Sequence, residues 1–189
     1  LKPLFIGEDA YKGKPNPHTW ISPKRGIIYV DTLSRALSEL KPQSKTVFKK
    51  NAEIYKNKLL EIDEDFSLFL NTLKKNQKYL VSCEGAFTYL TNDYGLKEAY
   101  LWPVNAESQI TPKRMAKVIN LVKTNDIPAV FCESTVSSES QLAVARETGA
   151  KFGGNFFVDS LSEKNGPASS YIDLLNHNLN LIKQAYSTK

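Results

Sequence analysis

The sequence predicts an α/β protein in which a four-stranded parallel sheet, wrapped by helices, follows a long helix and a shorter N-terminal segment. Short apolar runs alternate four times with amphipathic segments after residue 77, and this alternation is typical of a parallel sheet covered on both faces. Before it, residues 44–75 carry apolar positions at spacings of three and four. With 189 residues, 41% of them hydrophobic, the chain is long enough to bury such a core.

The N-terminal part holds one strand candidate and two helices. Residues 4–6 form a short apolar run, and Ser22-Pro23 is typical of a helix start. The first helix should place a stripe of apolar residues inward and end before Pro42; the stripe consists of Ile27, Val30, Leu33, Leu37 and Leu40. The second helix would span on the order of 45 Å. We therefore predict three segments: an N-terminal lobe remnant at 1–43, a connector helix at 44–76 and a C-terminal lobe at 77–189.

Turn residues divide the C-terminal segment into four strand–helix units. The predicted strands cover residues 79–83, 99–102, 128–132 and 156–158, and the predicted helices cover residues 86–94, 111 onward, 138–148 and 169–186. Gly95 and Gly149 are expected to end the helices that precede them.

Composition excludes several classes of protein. The net charge is +5, but the 25 basic residues are scattered among 20 acidic ones, which favours a solvated surface over nucleic-acid binding. No apolar run is long enough for a membrane-spanning segment, and no signal peptide is visible. Because the chain does not begin with Met, we expect a processed or truncated chain.

One of the two histidines, His18, lies in the segment Asn16-Pro17-His18-Thr19-Trp20. Pro17 has a restricted φ and holds the residue before it in an extended conformation, so the approach to His18 is stiff. Such a histidine is either a packing residue or a metal ligand, and the pentapeptide alone favours packing.

Three carboxylates occur at the ends of predicted strands: Glu84, Glu133 and Asp159. Ligands of parallel sheets bind beyond these ends, where three carboxylates would repel one another unless a cation compensated them. The alternative is that each carboxylate serves separately at the start of the following helix. One imidazole with carboxylates favours Mn²⁺ or Fe²⁺ over a typical zinc site.

Cys83 and Cys132 each end a predicted strand beside one of the glutamates. If the two strands are neighbours, their Cα atoms fall within bridging range of a disulfide. Free thiols and a Cys-ligated metal are the alternatives, and a location outside the cytoplasm favours the bridge.

In combination these residues resemble the metal-binding receptors of bacterial ABC importers for manganese, zinc and iron, in the manganese-type branch. The similarity covers essentially the whole chain and lies in four pieces: residues 16–20, residues 82–87 with Asp93-Tyr94-Gly95, Cys132-Glu133-Ser134, and residues 158–161.

The resemblance implies two α/β lobes joined by one rigid helix, here residues 44–75, with the metal between the lobes. It implies that His18, Glu84 and Asp159 are metal ligands and that Glu133 lies beside them and orients them. Zinc-type relatives carry a histidine at the position of Glu84, so the resemblance implies Mn²⁺, with Zn²⁺ or Fe²⁺ as alternatives.

The same resemblance implies a periplasmic or membrane-anchored extracellular receptor that delivers a divalent metal ion to the permease of an ABC importer and is not an enzyme. A further histidine ligand of the family would precede this chain, and His177, in the last helix, is expected to have a surface or packing role. The resemblance therefore implies a C-terminal fragment that binds metal weakly or not at all.

Two other functions stay open at this point. A His/Glu/Asp metal site with an open position could activate water, which would make the protein a metallohydrolase with Glu133 as its acid or base. A surface adhesin is the other alternative, although no binding motif in the sequence supports it independently.

Overall fold

The structure is a computed structural model that describes residues 2–7, 11–74, 78–105 and 110–187. The described residues form six α-helices: α1 (Pro23–Leu40), α2 (Lys45–Thr72), α3 (Thr88–Tyr94), α4 (Pro112–Thr124), α5 (Glu139–Thr148) and α6 (Tyr171–Ser187). They form four β-strands: β1 (Tyr79–Glu84), β2 (Lys97–Trp102), β3 (Ala129–Glu133) and β4 (Lys151–Phe156). The predicted α/β class is confirmed.

The strands form two hydrogen-bonded parallel pairs, β1 with β2 and β3 with β4. Strands β1 and β3 lie beside each other, and Cys83 and Cys132 join them at a Cα–Cα distance of 4.7 Å. The spatial order is therefore β2-β1-β3-β4, with backbone ladders within each pair and a covalent bond between the pairs. The disulfide and the contact between Glu84 and Glu133 bring the last residues of β1 and β3 together at one edge.

Strand β4 lies earlier than the sequence pattern predicts. The prediction of residues 156–158 was wrong, because β4 spans Lys151–Phe156 and includes Gly153 and Gly154. A Cβ atom at Gly153 would collide with the ring of Phe131 on β3. Glycine is therefore required for the close approach of β3 and β4. Because β4 contains two glycines, it has few apolar residues, and the pattern of apolar residues does not predict it.

The predicted strand at residues 4–6 was also wrong. Phe5 forms an isolated antiparallel bridge with Pro15, and the backbone N–H of Ile6 donates to the carbonyl of Lys14 at 2.9 Å. This local pairing occupies backbone N–H and C=O groups that a strand would need in order to pair within a sheet.

Helix α2 matches the predicted long helix, although residues 75–76 of the predicted connector lie outside the described residues. The α1 stripe was predicted wrongly at its C-terminal half, where Leu33 and Leu40 are 59% and 83% exposed. These two side chains remain largely exposed, although Ser38 on the same half of α1 is buried. None of these helices is long and apolar enough to cross a membrane.

The larger hydrophobic core draws on all three predicted segments. Ile21 lies before α1, Phe66 lies on α2, and both are buried in one cluster with Leu80 of β1 and Phe131 of β3. The division into residues 1–43, 44–76 and 77–189 stays a prediction.

A partly buried ion pair attaches α1 to α3. The Nε and Nη2 atoms of Arg25 donate to the two carboxylate oxygens of Asp93, each at 2.8 Å, and the hydroxyl of Ser22 donates to Asp93 at 2.7 Å. The guanidinium also lies 4.5 Å from the ring centre of Tyr89. Burial raises the pKa of Asp93, but the hydrogen bonds from Arg25 and Ser22 outweigh it and hold the pKa below its ordinary value.

Asp93→Asn should reduce the free energy of unfolding by about 2 kcal/mol at neutral pH, because it removes charge-assisted hydrogen bonds. A carboxyl with a lowered pKa stabilises the fold above its unfolded-state pKa, near 4, and loses that effect as the pH falls through the folded-state pKa. The difference between the two proteins should therefore shrink below about pH 4.

Urea denaturation at neutral pH and below about pH 4 measures the free-energy difference and its dependence on pH. Glu64→Gln on the exposed face of α2 is the control. A pH-independent difference would contradict an electrostatic role for Asp93.

Candidate metal centre

The segment from Asn16 to Trp20 is anchored on the loop between β1 and α3. The side-chain amide of Asn16 donates to the carbonyl of Gly85 at 2.7 Å and to the hydroxyl of Thr88 at 3.1 Å. The hydroxyl of Tyr89 donates to the backbone carbonyl of Asn16 at 2.9 Å. Asn16 is only 3% exposed, so these bonds form in a dry environment where they position the segment strongly.

The other end of the segment is anchored on the residues that follow β4. The indole Nε1 of Trp20 donates to the carbonyl of Val158 at 3.1 Å, and the hydroxyl of Tyr171 donates to the carbonyl of Trp20 at 2.6 Å. These contacts bring His18 and Asp159 together, with 3.7 Å between Nε2 and Oδ1. Two ligand atoms of one tetrahedral ion lie about 3.4 Å apart, so the observed spacing suits a shared cation.

The hydrogen bonds of His18 assign its tautomer. The amide oxygen of Asn16 accepts the backbone N–H of His18 at 3.0 Å and lies 2.9 Å from its Nδ1. An amide oxygen can only accept, so Nδ1 carries the proton and the lone pair of Nε2 is directed toward Asp159. Burial lowers the pKa of His18, and the charge of Asp159 opposes this with a smaller effect. The neutral ring is the form that binds a metal.

Glu84 is the last residue of β1 and is 7% exposed. Its Oε1 accepts the backbone N–H of Asn105 at 2.9 Å. Glu133, the last residue of β3, accepts the backbone N–H of Glu84 at 3.2 and 3.4 Å. Burial, helped by the charge of Glu84, raises the pKa of Glu133 to about 8 although hydrogen bonds from backbone N–H groups oppose the shift.

The predicted ligands are not gathered into one tight cluster. Within the described part of the chain, three potential ligand atoms lie within 4.8 Å of one another at Cys83, Cys132 and Glu133 and at no other group. The two sulfurs of that group are bonded to each other, so they cannot serve as thiolate ligands. His18 and Asp159 are adjacent, and Glu84, at the end of β1, does not form one group with both of them within 4.8 Å.

His177 does not approach this region in a ligand role. Its Nε2 lies 3.1 Å from the carbonyl of Asn155, and its ring packs edge-on against Phe157. These contacts are those of the surface and packing residue that the sequence predicts.

Sequence reasoning assigned no role to Asn16, Trp20 or Asn105. A local signal existed for Asn16, because the side chain of an asparagine commonly accepts a hydrogen bond from the backbone N–H two residues later, here that of His18. No local signal marks Trp20 or Asn105, whose partners are 138 and 21 residues away in sequence.

The predicted disulfide between Cys83 and Cys132 is confirmed. It ties the strand ends that carry Glu84 and Glu133 and closes a loop with a sequence separation of 49. Its reduction should lower the free energy of unfolding by about 3 kcal/mol.

Urea denaturation with and without reductant measures this loss. The chain has two cysteines, so the reductant can break only this one disulfide. Metal affinity should fall with the same treatment, because the strand ends loosen. An unchanged unfolding midpoint after thiol titration has verified complete reduction would contradict the prediction.

Three comparisons place the chain among known proteins. It matches the family described as zinc-uptake complex component A, periplasmic, over residues 3–185. It is 41% identical over 186 residues to the iron-binding protein YfeA of Yersinia pestis, covering 98% of this chain and 60% of that protein. It is 30% identical to the manganese ABC transporter substrate-binding lipoprotein PsaA of Streptococcus mitis, covering 96% of this chain and 59% of that protein.

Among solved structures, the Mn-bound periplasmic metal binding protein of Candidatus Liberibacter asiaticus is similar, with a TM-score of 0.88 and 34% sequence identity. The similarity covers 97% of this chain and 67% of that one. The chain spans about 60% of the length of the curated relatives it matches. The match over residues 3–185 shows that the chain belongs to the zinc-uptake complex component A family of periplasmic proteins.

Proposed function

We propose that this protein is the metal-binding part of a receptor that binds Mn²⁺, with Fe²⁺ or Zn²⁺ as alternative cargo, and delivers it to the permease of an ABC importer. The observation that carries the proposal is the pairing of His18 with Asp159. A neutral ring with a bare Nε2 lies 3.7 Å from a carboxylate oxygen, and the opposite ring nitrogen is held by Asn16.

His18, Asp159 and Glu84 supply one nitrogen and carboxylate oxygens. This set suits Mn²⁺ and Fe²⁺, although Zn²⁺ competes because its affinity for most sites is higher. The relatives named for iron and for manganese are consistent with this choice. Three protein ligands leave the remaining positions to water, so we expect weak binding by this chain.

Two observations support a location outside the cytoplasm. The Cys83–Cys132 disulfide is of the kind that persists in oxidising compartments. The family is described as periplasmic, and PsaA of Streptococcus mitis is a lipoprotein. In that setting the chain would capture the ion and present it to a membrane permease.

The environment of Glu133 argues against a metallohydrolase. A general acid or base must reach the substrate, yet Glu133 is 2% exposed and its oxygens face the backbone of Glu84. Its contacts fit the support of a neighbouring ligand better than proton transfer.

His18→Gln should abolish saturable Mn²⁺ binding, because it removes the nitrogen ligand. Isothermal titration of the 189-residue chain with Mn²⁺ measures this, and His177→Gln is the matched control because it changes the other histidine. Equal loss in both variants, or no saturable binding of Mn²⁺, Fe²⁺ or Zn²⁺ by the unmodified chain, would contradict the proposal.

Glu84→His should shift the preference toward zinc by on the order of tenfold, because a second imidazole replaces a hard carboxylate oxygen. Competition between Mn²⁺ and Zn²⁺ for one site measures the ratio. Glu163→Gln, on an exposed residue after β4, is the control. An unchanged ratio would mean that Glu84 does not contact the ion.

A further inference from the structure

Glu98 on β2 is a partly buried carboxylate that the proposed ligand set does not use. It lies beside Leu80 of β1 and bonds to the start of α3: Oε1 accepts the backbone N–H of Phe87 at 3.0 Å, and Oε2 accepts the hydroxyl of Thr88 at 2.7 Å. Burial raises the pKa of Glu98 to about 7, and the two hydrogen bonds oppose that shift. Removing part of a carboxylate from water is costly unless hydrogen bonds compensate it, and these two bonds do so.

The contact with Glu98 sets the direction of the Thr88 hydroxyl. A hydroxyl has one proton, and a carboxylate can only accept, so the proton of Thr88 points toward Glu98. The hydroxyl oxygen therefore has only lone pairs to offer its other neighbour. That neighbour is the side-chain nitrogen of Asn16, at 3.1 Å.

The direction of the Thr88 hydroxyl in turn favours one orientation of the Asn16 amide. Its NH₂ group faces two acceptors, the Thr88 oxygen and the carbonyl of Gly85, and its oxygen faces His18. Reversing the amide would place its oxygen against two acceptors, the Gly85 carbonyl and the Thr88 oxygen, and its NH₂ against the backbone N–H of His18. Each of these contacts would leave polar groups without hydrogen-bond partners, which is unfavourable away from water.

We propose that Glu98 is a positioning residue for His18. Its carboxylate orients Thr88, Thr88 orients Asn16, and Asn16 holds the His18 ring with the proton on Nδ1 and the lone pair on Nε2. The metal-binding consequence of this relay rests on the proposed function, but the tautomer itself does not. Glu98 reaches His18 through two intervening side chains and touches neither the ring nor the expected ion.

The imidazole ¹⁵N spectrum of the metal-free 189-residue chain tests the relay directly. His177→Gln leaves His18 as the single histidine, so its two ring nitrogens give the whole imidazole signal. At about pH 8.5 the ring is neutral and Glu98 is ionised. We expect the Nδ1–H tautomer to predominate, and a predominant Nε2–H tautomer would overturn the proposal.

Matched variants at Thr88 separate the relay from simple packing. Thr88→Val removes the hydroxyl and keeps the shape, so the Nδ1–H population should fall. Thr88→Ser keeps the hydroxyl and should restore it. Glu98→Gln should act like Thr88→Val, because the Thr88 proton loses its carboxylate acceptor. Folded variants that all retain the tautomer of the parent chain would overturn the relay.

Mn²⁺ titration of the same variants provides the second readout. Thr88→Val and Glu98→Gln should each weaken binding about tenfold, and Thr88→Ser should bind like the parent chain. If the parent chain binds no metal, the proposed function fails while the ¹⁵N spectrum still decides the relay. Unchanged affinity in a variant with an altered tautomer would overturn the claim that the relay serves the metal.

Discussion

The side-chain amide of Asn16 is the contact on which the candidate site depends. Its oxygen bonds to the ring and backbone of His18, and its nitrogen bonds to Gly85 and Thr88, which lie 69 and 72 residues later in the chain. A buried amide is tolerated only when it is hydrogen-bonded. The same bonds that dock the N-terminal segment onto α3 therefore set the orientation and protonation of the histidine.

Further long-range contacts hold the segment from its other side. Trp20 bonds to Val158 and Tyr171 bonds to Trp20, so the segment with His18 is fixed to the residues that carry Asp159. Arg25 and Asp93 lock the following helix onto α3. The candidate site is thus assembled between separate parts of the chain, and loss of one docking contact would move one ligand relative to the others.

Local chemistry explains which features were predictable. Helix α2 carries a regular apolar repeat over many residues, and Gly149 has the positive φ that ends a helix without strain. Strand β4 was misplaced because its glycines serve a close contact with Phe131, a requirement set by a different strand. The exposed Leu33 shows the same limit, since an apolar periodicity indicates a face but not what covers it.

The sequence by itself determined the α/β class, the long helix and the position of each cysteine at a strand end, because each follows from residue types at short spacing. The ligand set stays a prediction that rests on the family resemblance. Tertiary structure decided that Cys83 and Cys132 bond to each other, that His18 faces Asp159, and that the Asn16 amide bonds to Gly85 and Thr88. These outcomes depend on distances between residues far apart in the chain. Such distances exist only after the strands and loops have packed.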